Sequence, residues 1–265
     1  MTPQEFFVDA MTRIPAMTQA LGTTPAPVSN RLIAALPPKD RLRFLDNCEY
    51  VDLAFSEVII EAGEKCSRVY FPTDSFISLV AAVDDHSRLE VGIVGAEGMV
   101  GTSLVLGVNV SPLHALVQGA GPALQMSAAA FRRELERSPA LREGLNRYIY
   151  VLMHQLAQTA VCTRFHVVDA RLARWLLMTR DRAHSNQFYL THEFLAYMLG
   201  VRRVGITKAA YLLEQSGVIA YHRGKVTIID EPGLEQAACQ CYWEDKKVYE
   251  RILVKPRRIS SRALH

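Results

Sequence analysis

The sequence lacks the raw material of several protein classes. Among its 265 residues there are five cysteines, an odd number scattered along the chain, which make no disulfide framework. No run of 18 residues is free of polar breaks, so no membrane-spanning helix is expected. The opening stretch MTPQEFFVDAMTRIPAMTQAL carries Glu5 and Asp9 and no continuous apolar block. It does not read as a secretory signal. No Walker-type glycine loop, no H-E-x-x-H and no nucleophile–base set is found, so no catalytic residue is assigned and an enzyme is not expected. Lysine and arginine are absent from Leu89 to Phe131, while Glu90 and Glu97 are present there. These absences lead to a cytoplasmic chain with reduced thiols, no membrane partner, no metal and no cofactor. What is present is globular: 49% hydrophobic and 22% charged residues, enough for one large domain or two ordinary ones.

Charge divides the chain. Residues 1–169 hold 14 Lys+Arg against 18 Asp+Glu, a net −4, and residues 170–265 hold 16 against 9, a net +7. An acidic front and a basic back suggest different partners for the two parts. Residues 1–29 end in GTTPAPVSN and read as an extension and linker. Residues 30–138 contain β-rich runs separated by Gly, Asp and Pro. Leu89, Val91 and Ile93 alternate with Glu90 and Gly92, the period of a half-buried strand. Seven of the 15 glycines fall between Gly92 and Gly121, which permits tight turns between short strands. The region reads as a compact antiparallel barrel or roll.

Ser138-Pro139 looks like an N-cap with proline at the first helical position. It opens a long helix over residues 139–168. Leu145, Ile149, Leu152, Leu156 and Thr159 follow a 4-3-4-3 spacing on it. That is the seam of a two-stranded coiled coil, or equally a stripe packed on the helix's own domain. Residues 169–232 carry the most informative pattern. After the helix DARLARWLLMTRD and the polar loop RAHSNQF, Thr191 N-caps a short helix from His192 to Leu199. Gly200 stands where positive φ is needed, and a second helix runs from about Arg202 to Gln215. Helix, short glycine turn, helix is the layout of a helix-turn-helix. The strands VIAYH and KVTIID, turning at Arg223-Gly224, form a wing. On the second helix Ile206, Ala209, Ala210 and Leu213 share one face, and Arg202, Arg203, Thr207 and Lys208 crowd the N-terminal end of the other. A recognition helix enters the major groove by that end, and the arginine fork suits guanine O6 and N7. Candidate DNA contacts are therefore Arg202, Arg203, Thr207, Lys208, Thr191, His192, Arg223 and Lys225. Residues 233–265 read as a C-terminal helix and basic tail.

This order of glycine-rich roll, long helix and winged helix-turn-helix is similar to the Crp–Fnr family of bacterial transcription regulators, over roughly residues 30–230. The most specific part is LTHEFLAYMLGVRRVGITKAAYLLEQSGVI, through Leu190, Leu199, Gly200, Arg203, Leu213 and Ile219. The resemblance implies an α+β chain: an antiparallel β-roll of the cyclic-nucleotide-binding type (a double-stranded β-helix), a long dimerisation helix and a C-terminal winged helix-turn-helix. It implies a homodimer with Leu145, Ile149, Leu152 and Leu156 in the interface. Its partners would be double-stranded DNA with a two-fold-related operator, RNA polymerase and an effector of unknown identity. Arg203 matches the main base-reading arginine and Lys208 a second basic reader, whereas Val204 departs from a frequently acidic position. The class-different alternative is a non-DNA-binding sensor or scaffold that kept the fold.

Cyclic-nucleotide-binding members hold the ligand's phosphate in a cassette of the form G-E-[aliphatic]…R-[S/T]-A. Here Gly101 is present, Thr102 replaces the acid, and Pro112-Leu113 replace arginine and serine. With no basic side chain from residue 89 to 131, a buried phosphate would lack a counter-charge, so cAMP is not the expected ligand. Gly101, Thr102, Leu113, His114, Gln158 and Thr159 are the candidate effector pocket, mostly apolar and lined by Leu104, Leu106, Leu113 and Leu116. His114 in an apolar run reads more readily as a satisfied core residue than as a ligand contact. Cys239 and Cys241 are expected in one helix after the wing, pointing to nearly opposite sides, one buried and one partly exposed.

Overall fold

The computed structural model describes residues 30–84 and 87–254. The expected N-terminal extension, and the tail from residue 255, lie outside the described residues. Helix α1 (Arg31–Ala34) is N-capped by Asn30, whose side chain accepts from the Leu32 and Ile33 amides. The Asn30 amide group also donates to the Pro72 and Gly98 carbonyls, both at 2.9 Å. A fully buried polar residue is thus satisfied on all sides. Helix α2 (Pro38–Asp46) starts with proline, which needs no N–H there.

The roll is two antiparallel sheets. Strands β1 (Glu49–Leu53), β7 (Gly121–Ser127) and β3 (Arg68–Pro72) lie in the order β1-β7-β3. Strands β2 (Val58–Ile60), β6 (His114–Gly119), β4 (Phe76–Ala82) and β5 (Arg88–Val94) lie in the order β2-β6-β4-β5, so β5 is an edge. Two short helical pieces complete the roll: a 3₁₀ turn at Thr102–Leu104 and helix α3 (Ala128–Arg137), capped by Ser127. The core between the sheets contains Val69, Phe71, Ile77, Val94, Met99, Val117 and Leu124, each 0% exposed. Burial on this scale is the main term holding such a roll together.

Helix α4 (Pro139–Phe165) spans 27 residues with Ser138 as N-cap. It lies along the roll, where Gly98 leaves room for the Tyr148 ring. The Tyr148 hydroxyl donates to the Met99 carbonyl. This packing corrects the expected dimer seam. Leu145 and Leu152 are buried in the roll's own core, Leu156 packs against it, and Ile149 is buried too. The exposed apolar stripe of α4 is the next one round: Tyr150, Met153, Ala157, Val161 and Phe165. The roll covers the face that carries the leucines at 145 and 152, while Met153, Val161 and Phe165 are left outside.

Helix α5 (Val168–Ala183), strand β8 (Gln187–Tyr189), helices α6 (His192–Leu199) and α7 (Arg203–Gln215), and strands β9 (Ile219–His222) and β10 (Lys225–Ile228) form the C-terminal unit. The sheet order is β8-β10-β9, so the segment read as the loop RAHSNQF contributes a third strand. Helices α8 (Glu231–Ala237) and α9 (Cys241–Tyr249) follow, with a π-helical turn at Glu250–Val254. This unit packs on the roll. Phe76, Val80, Ile93 and Leu116 share one buried cluster with Leu172, Leu176, Leu195 and Ile206. The Trp175 indole donates to Glu90 at 2.9 Å, and Arg182 pairs with Glu97 at 2.7 Å. Among the described residues no helix is long and apolar enough to cross a membrane.

Candidate nucleic-acid interface

The helix-turn-helix is set by three local choices. Thr191 caps α6 by accepting from the Phe194 amide, the usual service of a threonine N-cap. Gly200 ends α6 at φ 61°, ψ 42°, a conformation glycine adopts without steric cost. The Val201 amide then returns to the Ala196 carbonyl at 2.9 Å. The guanidinium of Arg171, on α5, donates to the Leu199 carbonyl and so caps the same turn from below. Ile206, Ala209, Ala210 and Leu213 bury the inner face of α7 against α5 and α6.

The outer face of α7 is open. Arg202 is its N-cap residue and Arg203 its first residue, and Arg202, Arg203, Thr207 and Lys208 are all exposed. The basic side chains therefore stand at the helix end that carries unpaired backbone N–H groups, a place suited to phosphate. His192 is half-buried and stacks on Tyr221, ring centroids 4.6 Å apart. Its Nδ1 lies 3.0 Å from the Thr207 hydroxyl, which itself donates to the Arg203 carbonyl. That hydroxyl has one proton, so the imidazole donates from Nδ1. Burial, with the neighbouring Arg203 charge, holds this imidazole below its ordinary pKa range, so it stays neutral. His192 is thus a brace between α6, α7 and the wing as much as a surface residue.

The wing turns at Arg223 and Gly224 with φ of 48° and 81°. Positive φ at both central residues is the two-residue hairpin turn that matches strand twist. Arg223 is exposed at the tip and Lys225 half-buried beside it. Tyr211 is also 58% exposed on α7. It follows Arg203 and Thr207 at i, i+4, i+8 and so shares their helical face.

The expected effector pocket is not assembled. Gly101 packs on Val69 and Cys66, and Thr102 opens the 3₁₀ turn. Leu113 and His114 stand at the start of β6, where His114 pairs with Glu61 at 2.6 Å. Thr159 meets Arg174 at 3.4 Å, and Gln158 reaches the Cys241 thiol. Leu104 and Leu116 are core residues, whereas Leu106 is 64% exposed. A cavity of about 510 Å³ opens elsewhere, between the roll and helices α4, α5 and α9. Its lining mixes charged groups, among them Arg31, Glu97, Arg182, Asp245 and Lys246, with apolar ones such as Leu152. None of the six expected pocket residues lines it. Of the two cations that bound the cassette in sequence, Arg88 lies over the Tyr197 ring and Arg132 is held by Asn109.

The cysteines also depart from expectation. No helix runs through Cys239 and Cys241: α8 ends at Ala237, Ala238 is extended, and α9 begins at Cys241. Both thiols therefore turn the same way, toward the end of α4, and both are buried. Cys162, His166, Cys239 and Cys241 bring their ligand atoms within 4.8 Å of one another. The hydrogen bond from Cys239 pulls the Cys162 thiol well below its ordinary range and raises Cys239.

Residues 170–237 match the family model described as the Crp-like helix-turn-helix domain. No curated protein matches the chain in sequence. Solved structures do match its fold. A chain assigned to the Crp/Fnr regulators of Eubacterium rectale aligns with a TM-score of 0.63 at 17% identity, over 79% of this chain and 98% of that one. A Crp/Fnr transcriptional regulator of Thermus thermophilus aligns at 0.61 and 20% identity, over 72% and 98%. The c-di-GMP-responsive global regulator of Xanthomonas campestris aligns at 0.61 and 16% identity, over 72% and 99%. The chain thus carries a helix-turn-helix of the Crp-like family behind a β-roll and long helix with the fold of the Crp/Fnr transcription regulators.

Proposed function

We propose that the protein is a sequence-specific, DNA-binding transcription regulator that works as a homodimer. The observation that carries the reading is the exposed basic end of α7, with Arg202, Arg203, Thr207 and Lys208, inside a Crp-like helix-turn-helix. Arg203 reads a base edge in the major groove. Arg202, Arg223 and Lys225 hold phosphates, and Thr191 and His192 position the end of α6 against the backbone. The second copy docks along α4 through Tyr150, Met153, Ala157, Val161 and Phe165. They lie three or four residues apart and so share one helical face, and four of them are 46–72% exposed, from Val161 to Phe165.

The roll does not use cAMP. Thr102 and Pro112-Leu113 occupy the cassette, and Arg88 and Arg132 are engaged by Tyr197 and Asn109. The position of the C-terminal unit is instead tied to the roll by Trp175–Glu90 and Arg182–Glu97, contacts through which a change in the roll reaches α7. RNA polymerase is the partner this reading implies once the operator is occupied. Selection of bound sites from random duplex DNA tests the function. A two-fold-symmetric consensus with half-sites about one helical turn apart is expected. Recovery of no enriched sequence would favour a sensor or scaffold without DNA binding.

A further inference from the structure

Four side chains with metal-binding atoms converge where three segments of the chain meet. Cys162 and His166 are one turn apart at the C-terminal end of α4, and His166 is the residue that ends that helix. Cys239 and Cys241 flank the turn between α8 and α9. The Cys162 and Cys239 sulfurs are 3.5 Å apart, and the Cys241 sulfur is 3.4 Å from His166 Nδ1. All four ligand atoms fall within 4.8 Å of one another. Tetrahedral zinc with Zn–S near 2.3 Å places its sulfurs about 3.8 Å apart. The spacing suits one ion at the centre, and three thiols with one imidazole is a set used by structural zinc.

A second observation is independent of the spacing. Arg171 is only 9% exposed, yet among the described residues it pairs with no carboxylate. Its guanidinium donates to a backbone carbonyl, that of Leu199. The groups near it that could take up negative charge are the Cys162 and Cys239 sulfurs. Arg174, also buried, is by contrast paired with Asp245 at 2.7 Å. A buried cation without a counter-charge is costly. Three thiolates and a neutral imidazole around a divalent ion carry one net negative charge, which is the charge Arg171 lacks.

We propose that Cys162, His166, Cys239 and Cys241 form a closed, four-coordinate site for a single thiolate-preferring divalent cation of the zinc type. Binding releases to solvent the protons that the thiols still hold and forms three metal–sulfur bonds and one metal–nitrogen bond. The site ties the His166–Val167 break between α4 and α5 to the segment behind the wing. Through Arg171 it also backs the carbonyl that ends the first helix of the helix-turn-helix. This last consequence rests on the DNA-binding reading; the metal site itself does not.

The test uses the full chain, reduced and stripped of metal by a chelator, with cobalt(II) as the spectroscopic probe and zinc as competitor. One cobalt ion per chain is expected, with thiolate-to-cobalt charge transfer and the strong visible bands of a tetrahedral S₃N site. Zinc should abolish both. Cys239→Ser and His166→Ala should weaken binding at least about tenfold, while Cys66→Ser, a buried cysteine elsewhere in the roll, should leave it unchanged. Should a ligand variant fail to fold, thiol alkylation mapped on the wild-type chain decides. Zinc is expected to protect Cys162, Cys239 and Cys241 together. Absence of the cobalt bands in the wild type, protection of none of these thiols, or a metal-free chain with a Cys162–Cys239 disulfide after purification without oxygen would each overturn the proposal.

Discussion

Glu90 sits on edge strand β5, fully buried, where the roll meets α5, and burial raises its carboxyl to about 7. Its partners say which form the site prefers. One oxygen accepts from the Trp175 indole and the other lies 2.6 Å from the Ser78 hydroxyl, which is also close to Gln118. Ser78 has one proton to give. A protonated Glu90 donates to Ser78, which then donates to the Gln118 amide oxygen, so that Ser78 serves both neighbours with its single proton. Arg182 and Arg174 oppose the shift but stand behind it in size. Between the unfolded value of 4.5 and the folded value of about 7, the native state holds a proton that the unfolded chain has lost. Stability therefore falls as pH rises through this window. The shift corresponds to about 3 kcal/mol at full development. Glu90→Gln keeps an acceptor for Trp175 and supplies a donor for Ser78 without a charge. It should match the wild type near pH 5 and exceed it by up to about 3 kcal/mol at pH 8. Urea unfolding followed by circular dichroism at several pH values measures both curves. Taking the difference between the two chains cancels the other titrating groups. Parallel curves for the two chains would refute the reasoning.

Three further outcomes follow from the structure. Met153→Asp should leave the chain folded but monomeric by sedimentation, with operator binding weaker by about a hundredfold as the second half-site contact is lost; Leu152→Asp should instead unfold the chain, since Leu152 is 8% exposed and lies in the roll's core. Lys225→Ala should weaken specific and random duplexes alike and lower the salt slope by about one, as read by anisotropy across a salt series. Calorimetry with cAMP and cGMP should show no micromolar binding, and neither nucleotide should change operator affinity in a gel shift.

The C-terminal unit was legible because each of its breaks has a one-residue cause. Thr191, Gly200 and the Arg223-Gly224 pair can be read without tertiary knowledge, and α6, α7 and the wing fall where they indicate. Strand β8 was not legible. Its three residues are too few to establish a period in the sequence, and they pair with the edge of β10. The register of α4 failed for a different reason. A 4-3-4-3 spacing identifies an apolar face but not what covers it, and only the position of the roll decides that this face is buried within the chain. The thiol cluster was hidden by distance, since Cys162 and Cys239 are 77 positions apart. A helix assumed through Cys239 and Cys241 then sent their side chains to opposite sides. The signal available was Cys162 and His166, four apart and so on one helical face.

The claim at the centre of this account is that α7 reads DNA by its exposed basic end. Its most direct test is fluorescence anisotropy of wild type and Arg203→Ala on the selected site and on a random duplex, at one fixed salt concentration. The account predicts a loss of about 1–3 kcal/mol for Arg203→Ala on the selected site and little change on the random one. Equal weakening on both duplexes, or a wild type that does not distinguish them, would contradict it.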